Sequence, residues 1–186
     1  MFLRRGGTEH VSSPRLILVT GGARAGKSRF ALSLADHTTC SRRLFIATAV
    51  ACDAEMKQKI AKHRRERGAH WKTLEEPVDL PRRLPKQFLS KGSFILIDCL
   101  PTFVTNLMMA GFSDREILLR ARKFLWVCRK PGVSALAVTN EVGSGLVPEQ
   151  AMGRRFRDLL GTVNQEAARS ADEVYLLVAG LPVKVK

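Results

Sequence analysis

The sequence has few of the residues that build metal or disulfide sites. Its 186 residues contain four cysteines, at Cys40, Cys52, Cys99 and Cys128. None of them belongs to a Cys-x-x-Cys pair, and no histidine stands at the spacing of a zinc ligand, so a zinc finger or ribbon is excluded. We therefore expect free thiols, as in a reducing compartment such as the cytoplasm.

The sequence also lacks long apolar runs and an excess of acidic residues. Its apolar runs are the length of a strand, too short for a membrane span or for the apolar core of a signal peptide. The 31 Lys and Arg outnumber 17 Asp and Glu, and the resulting net charge of +14 attracts anions, nucleotides included. Aromatic residues make up only 6% and do not alternate with the basic ones as in single-strand binders. We expect a cytoplasmic protein with no membrane span and no nucleic-acid partner.

Short apolar runs alternate with helical patterns along the chain, which predicts an α/β fold with a mainly parallel sheet and helices on both faces. One domain is expected over residues 15–186, after a flexible tail over residues 1–14. The runs predicted to be buried strands are Leu16–Thr20, Leu44–Thr48, Phe94–Asp98, Ala135–Thr139 and Val174–Val178.

Helix boundaries are marked by capping residues and prolines. A helix is predicted over Ser28–Ala35, and the capping box Ser113–Glu116 opens another that stops near Pro131. Pro148 is placed as the first-turn proline of the last long helix. Prolines interrupt residues 77–92, where we expect irregular structure or short helical turns.

A phosphate-binding pattern follows the first strand. The motif G-x-x-x-x-G-K-[ST] is formed by Gly21, Gly22, Ala23, Arg24, Ala25, Gly26, Lys27 and Ser28. Its position between a predicted strand and a predicted helix is the context that a P-loop requires, so we predict a P-loop NTPase-like fold. The backbone N–H groups and Lys27 would hold phosphates, and Ser28 is the expected hydroxyl ligand of Mg²⁺. Asp98 ends an apolar strand and is either a second Mg²⁺ ligand, through water, or a helix cap.

A histidine lies on the inner face of a second predicted helix. Asp53 can cap this helix, and Met56, Ile60 and His63 then share one face. From the pattern alone, His63 is either a core residue or a catalyst. Close to His63 in the sequence stand three residues whose positive charge would suit a triphosphate, Arg64, Arg65 and Arg67.

The order of several further motifs is characteristic. They are Ile46–Ala49, Asp53–Met56, Ile60–Arg64, Trp71–Pro77, Asp98–Leu100, Thr105–Leu107, Asn140–Gly143, Arg155–Asp158, Asn164–Gln165 and Ala179–Lys184. Together with the P-loop, they make nearly the whole chain after residue 15 resemble the bifunctional adenosylcobinamide kinase / adenosylcobinamide-phosphate guanylyltransferase family. The sequence departs from the family pattern at Pro101, where Thr is usual, and at Ala25, where Ser is common.

The resemblance implies two reactions, phosphorylation of adenosylcobinamide by ATP or GTP and transfer of GMP from GTP to the product. It implies a GMP-histidine intermediate at His63, with Lys27 as the second catalytic residue, Mg²⁺ as cofactor and a homotrimer as the assembly. The residues that it implies for the nucleotide site, besides the P-loop, are Ala47, Thr48, Ala49, Arg64, Arg65, Glu66, Arg67, Glu75 or Glu76, and Asp98.

Several interpretations remain open at this stage. The acid at Glu75 or Glu76 either reads guanine through its N–H groups or is a solvated loop residue. Asn140–Glu141 either binds substrate or orders a turn, and Arg155–Asp158 holds either site residues or ion pairs. As for function, the alternatives are a P-loop small-molecule kinase without guanylyl transfer and, from the net charge, a nucleic-acid-binding NTPase.

Overall fold

The computed structural model describes residues 15–50, 58, 65, 68 and 70–186. The strands in this part of the chain are β1 (Leu16–Gly21), β2 (Arg42–Ala47), β3 (Trp71–Glu75), β4 (Ser93–Asp98), β5 (Val133–Val138), β6 (Glu173–Val178) and β7 (Leu181–Lys184). The helices are α1 (Lys27–Asp36), α2 (Leu80–Arg83), α3 (Leu100–Met109), α4 (Asp114–Cys128) and α5 (Ala151–Ser170). A 3-10 turn covers Lys86–Phe88.

The strands form a single sheet in the order β3-β2-β4-β5-β1-β6-β7. All neighbouring pairs are parallel except β6 and β7, which are antiparallel. The five predicted buried strands correspond to β1, β2, β4, β5 and β6, so the predicted α/β fold with a mainly parallel sheet is confirmed. Because parallel strands end at a common edge, the residues that follow β1, β2, β4 and β5 lie at the same side of the sheet, where α/β proteins bind ligands.

Helices cover both faces of the sheet, as predicted. Leu16 and Leu18 of β1 belong to a core shared with α2, α3, α4 and α5. Ile17 and Val19 point to the opposite face and belong to a second core with α1. The alternation of successive side chains along a strand explains this division. Among the helices in the described part of the chain, none combines the length and the apolar composition that a membrane span requires.

The structure corrects some boundaries. The last helix begins at Ala151 with Gln150 as its N-cap, so Pro148 is not its first-turn residue but belongs to the preceding loop. The capping box of α4 is confirmed, since Ser113 accepts a hydrogen bond from the Glu116 backbone and Glu116 reciprocates. Short helical turns in residues 77–92 are confirmed by α2 and the 3-10 turn. Strands β3 and β7 and helix α3 were not predicted.

Candidate nucleotide site at the carboxyl edge of the sheet

The P-loop connects β1 to α1 and depends on glycine at two points. Gly21 has a φ of 147°, and a Cβ atom there would lie 2.5 Å from the carbonyl oxygen of Leu177 in the neighbouring β6. Gly26 has a φ of 88° and is the N-cap of α1. Both conformations disfavour any side chain, so the sequence of the loop is tied to its backbone path. The loop therefore leads directly into the N-terminus of α1, where free backbone N–H groups favour a bound phosphate.

The lysine of the loop is buried against it. Lys27 is only 8% exposed, and its Nζ donates a hydrogen bond of 2.6 Å to the Gly22 carbonyl oxygen. Burial lowers the pKa of Lys27, and the nearby Cys99 and Asp98 oppose that shift. Because Asp98 ends β4 and Cys99 follows it, their electrostatic effect on Lys27 shows that the ammonium group lies close to the end of that strand. Ser28 follows Lys27 in the first turn of α1 and is half-buried.

A hydrogen-bond network holds the ends of β2 and β4 together. The Thr48 hydroxyl donates to the Cys99 carbonyl oxygen and accepts from the Cys99 backbone N–H, both at 2.9 Å. The Asn106 side-chain amide donates to the carbonyl oxygens of Thr48 (2.8 Å) and Pro77 (3.2 Å). The predicted site residues Ala47 and Thr48 are thereby fixed beside Asp98, with which Ala47 is in register. Ala49 follows them and is half-buried.

The two adjacent glutamates at the end of β3 have different environments. Glu76 is 8% exposed, and its Oε1 accepts hydrogen bonds from the backbone N–H groups of Val78 (3.1 Å) and Asp79 (2.9 Å). Burial alone would raise the pKa of Glu76, but these N–H groups and the Arg83 guanidinium lower it. Glu76 thus orders the turn before α2. Glu75 is exposed at the end of β3 and remains the candidate guanine reader.

The loop after β5 packs against the start of the P-loop. The Glu141 backbone N–H donates to the Gly21 carbonyl oxygen at 3.1 Å, and the Glu141 carboxylate accepts from the Gly143 N–H at 3.2 Å. The Asn164 side chain of α5 accepts from the Thr139 hydroxyl (2.6 Å) and donates to the Asn140 carbonyl oxygen (2.9 Å). Glu141 therefore orders a turn beside the start of the P-loop, and substrate binding by this motif stays a prediction.

The Arg155–Asp158 motif makes ion pairs within the chain. Arg155 donates from Nε to the Asp114 carboxylate (2.8 Å) and from Nη2 to the Phe112 carbonyl oxygen (3.0 Å), which ties α5 to the start of α4. Arg157 pairs with its neighbour Asp158 at 3.4 Å. The contacts of the described chain thus give these residues a structural role.

The predicted histidine lies outside the described residues, together with Arg64, Glu66 and Arg67. Arg65 is described, and it is helical and exposed. Pro101 occupies the first turn of α3. Because the first N–H groups of a helix have no intrahelical partner, the donor that proline lacks is not missed by the helix.

Sequence reasoning assigned no contacts to Asn106 or Asn164, although both belong to the quoted motifs. An asparagine shortly after a buried strand, or in the middle of an amphipathic helix, was the available signal.

Asp98 and Ser28 supply oxygen donors near Lys27. In the described residues no group of three or more His, Cys, Asp or Glu side chains could hold a metal ion.

Comparison with known proteins gives consistent matches over almost the whole chain. The family model described as cobinamide kinase / cobinamide phosphate guanyltransferase matches residues 17–185. The bifunctional adenosylcobalamin biosynthesis protein CobU of Escherichia coli (strain K12) is 38% identical over 183 residues, which covers 92% of this chain and 99% of that protein. The protein of the same name from Salmonella typhimurium (strain LT2) is 41% identical, with the same coverage of both chains.

A solved structure supports the fold. An ATPase from the type III secretion system of pathogenic bacteria matches with a TM-score of 0.59 and 9% sequence identity, over 92% of this chain and 57% of that one. At this identity the likeness concerns the fold alone, and it agrees with the predicted P-loop NTPase-like architecture.

Proposed function

The chain belongs to the cobinamide kinase / cobinamide phosphate guanyltransferase family, and from this we infer that it is a bifunctional enzyme of adenosylcobalamin biosynthesis. It phosphorylates adenosylcobinamide with ATP or GTP and then transfers GMP from GTP to adenosylcobinamide phosphate, which gives adenosylcobinamide-GDP. The observation that carries this inference is identity of 38% to 41% with bifunctional relatives over almost the full length of both chains.

For the kinase reaction we propose that the P-loop binds the donor nucleotide. The acceptor hydroxyl oxygen attacks the γ-phosphorus and its proton passes to water, the bond to the β–γ bridging oxygen breaks, and the nucleoside diphosphate leaves. Lys27 and the backbone N–H groups of the loop stabilise the charge on the transferred group. Ser28 and Asp98 would hold Mg²⁺, which neutralises phosphate charge when bound. The contacts that keep Thr48 and Asp98 at the same edge support this assignment.

For the guanylyl transfer we propose His63 as the nucleophile. A neutral imidazole nitrogen attacks the α-phosphorus of GTP and pyrophosphate leaves, after which a phosphate oxygen of the acceptor attacks the same phosphorus and frees the histidine. An unperturbed histidine pKa of about 6.5 makes the neutral form available near pH 7. Ala47, Ala49, Glu75 and the Arg64–Arg67 segment are proposed to line the nucleotide site.

Intact-protein mass spectrometry after incubation with GTP and Mg²⁺ tests this function. Wild-type protein should gain one GMP, in an acid-labile linkage. His63→Ala should gain none and keep kinase activity, whereas the control His70→Ala, at an exposed histidine, should be labelled like wild type. Lys27→Ala should slow both reactions by roughly a hundredfold, the effect of losing one preorganised contact to the transition state.

The alternative functions make different predictions in the same experiment. A wild-type protein that phosphorylates a small molecule but takes up no GMP would be a simple P-loop kinase, and the transferase assignment would be wrong. Activity that depends on added DNA or RNA and falls steeply with salt would indicate a nucleic-acid-binding NTPase instead.

We propose a homotrimer in which the β6–β7 hairpin contributes to the subunit contact. Val178, Leu181, Val183 and Val185 on this hairpin are 51% to 71% exposed. Val178 is in register with Leu181, so these side chains belong to one apolar face of the sheet edge. Exposed apolar faces of this kind are typical of protein–protein contacts. Val183→Lys should reduce the native mass measured by light scattering, and an unchanged mass would exclude this face.

We also propose that the partners are adenosylcobinamide and nucleotides, with no nucleic acid, and that the enzyme acts in the cytoplasm. Cys40, Cys99 and Cys128 are free thiols in the described chain, which is compatible with a reducing compartment.

A further inference from the structure

A second cleft adjoins the P-loop on the sheet face opposite α1. It has a volume of about 300 Å³ and lies between β1, β6 and α5. Its polar lining consists of Thr20, Glu141, Asn164 and Gln165, and Leu18, Gly161, Ala168 and Val174 supply the remainder. Thr20 directly precedes Gly21, and the Glu141 backbone N–H is bonded to the Gly21 carbonyl oxygen. The cleft therefore begins where the nucleotide site begins.

The Thr20 hydroxyl is unused by the fold. Its oxygen is buried and has no hydrogen-bond partner within the described chain. Thr139, at the end of the adjacent strand β5, is in contrast bonded to Asn164 at 2.6 Å. A buried hydroxyl without a partner is costly, because it has given up its bonds to water without replacing them. A ligand in the cleft would supply the missing partner.

The charge of the lining distinguishes this cleft from the nucleotide site. The chain carries a net charge of +14, yet none of the residues that line the cleft is Lys or Arg, and one of them is the carboxylate Glu141. A phosphate would meet a like charge there and no cation among the lining residues. Hydroxyl and amide groups, in contrast, offer both donors and acceptors, the combination that a carboxamide requires. The Gln165 side-chain oxygen Oε1 accepts a hydrogen bond from the Arg169 guanidinium, which leaves the Gln165 side-chain NH₂ group to donate.

Gly161 keeps the cleft open. A Cβ atom built on this residue would have no heavy atom within 4 Å other than those of its chain neighbours and its own helix backbone, although the residue lies in the middle of a 20-residue helix. Glycine weakens a helix interior, so its presence there needs a local reason. Space for a ligand group above the Thr20 hydroxyl is such a reason.

We propose that this cleft binds carboxamide side chains of the corrinoid acceptor, apart from the nucleotide phosphates. The inference rests on the proposed function, since it takes adenosylcobinamide, whose corrin ring carries several carboxamide side chains, as the acceptor. With amides held in the cleft, the acceptor arm reaches across the start of the P-loop towards the donor phosphate. Thr20 and Gln165 thus determine acceptor specificity and leave nucleotide affinity to the P-loop.

Steady-state kinase kinetics with adenosylcobinamide, at saturating ATP and Mg²⁺, test the proposal. Gly161→Leu fills the cleft and should raise KM for the corrinoid by at least about tenfold, with GTP affinity changed less than about twofold. Thr20→Val keeps the shape and removes the hydroxyl, and it should raise the same KM by about fivefold, as expected for one neutral hydrogen bond. Thr162→Leu is the matched control, because Thr162 is the next residue of α5 and is exposed; its KM should equal that of wild type.

Equilibrium dialysis of adenosylcobinamide without nucleotide, followed by its visible absorbance, separates this proposal from the proposed function. If wild-type protein transfers no phosphate but binds the corrinoid, and Gly161→Leu does not, the function fails and the cleft assignment stands. An unchanged KM and unchanged corrinoid binding in a folded Gly161→Leu would overturn the cleft assignment. A parallel loss of GTP binding would also overturn it, because the cleft would then belong to the nucleotide.

Discussion

The two glycines that open the P-loop should differ sharply in their tolerance of a methyl group. A Cβ atom on Gly21 would lie 2.5 Å from the Leu177 carbonyl oxygen, whereas a Cβ atom on Gly22 would have no heavy atom within 4 Å beyond its chain neighbours. Gly21 also has a φ of 147°, which disfavours L-residues. Gly21→Ala should therefore force β1 and β6 apart, and Gly22→Ala should leave the unliganded fold intact.

The expected size follows from two contributions. An unfavourable backbone conformation costs about 1–3 kcal/mol, and an overpacked contact costs a further 1–3 kcal/mol, roughly. We take about 3 kcal/mol as the total for Gly21→Ala, which for a domain of this length lowers Tm by roughly 6–12 °C. Gly22→Ala should change Tm by less than about 3 °C, since surface substitutions stay within about 0.5 kcal/mol.

Calorimetric unfolding without nucleotide measures this difference, because omitting the ligand separates fold stability from phosphate binding. Equal Tm values for the two variants would refute the reasoning, since they would show that the approach of Gly21 to β6 does not constrain the loop. A lower Tm for Gly22→Ala than for Gly21→Ala would reverse it.

Three further changes test other parts of the fold. Because the folded-state pKa of Glu76 is lowered, the stabilisation by its carboxylate is present above the ordinary glutamate pKa and is lost as pH falls through the lower folded value. The difference in unfolding free energy between wild type and Glu76→Gln should be about 1–3 kcal/mol at pH 7 and should shrink below about pH 4 in urea melts. A difference that stays constant with pH would contradict this. Asn106→Leu removes two hydrogen bonds to backbone carbonyls. This variant should lower the free energy of unfolding by about 1–3 kcal/mol and raise KM for GTP. Unchanged nucleotide kinetics would show that the hydrogen-bond network between the ends of β2 and β4 does not position the site. Gly161→Ala should stabilise α5 by about 0.5–1 kcal/mol. Gly153→Ala should not, because a Cβ atom on Gly153 would lie 2.8 Å from the Pro148 side chain. A higher Tm for Gly153→Ala than for Gly161→Ala would contradict the helix geometry.

The central strands were predictable because they are buried on both faces and so read as continuous apolar runs. Strand β3 contains both polar and apolar residues at the sheet margin, where Lys72 is exposed and Trp71 is buried. Strand β7 is short, fully exposed and contains Pro182, which only an edge strand tolerates. Their existence depends on a neighbouring strand with which to pair, and local sequence does not report that neighbour.

The P-loop was predictable because its chemistry is written in consecutive residues. The surroundings of the loop were not, since Thr48 lies 51 residues before Cys99 and 58 before Asn106 and meets them only through the sheet order. The two acids Glu75 and Glu76 could not be distinguished by type, and only the fold shows that one is buried and bonded. Pro148 was placed one turn too early in α5, because a proline can also precede a helix as part of the loop.

The bond between Lys27 and the Gly22 carbonyl has a consequence for ligand affinity. The ammonium group has lost most of its water and much of its rotational freedom when the chain folds, before any nucleotide arrives. An incoming phosphate replaces the neutral Gly22 carbonyl oxygen as the acceptor of the Lys27 hydrogen bond. The phosphate does not have to dehydrate or immobilise the ammonium group, because folding has already done so. When the nucleotide binds, the Lys27 ammonium group therefore exchanges one hydrogen-bond acceptor for another. The entropic cost of ordering the Lys27 side chain is part of the free energy of folding and not of the free energy of binding.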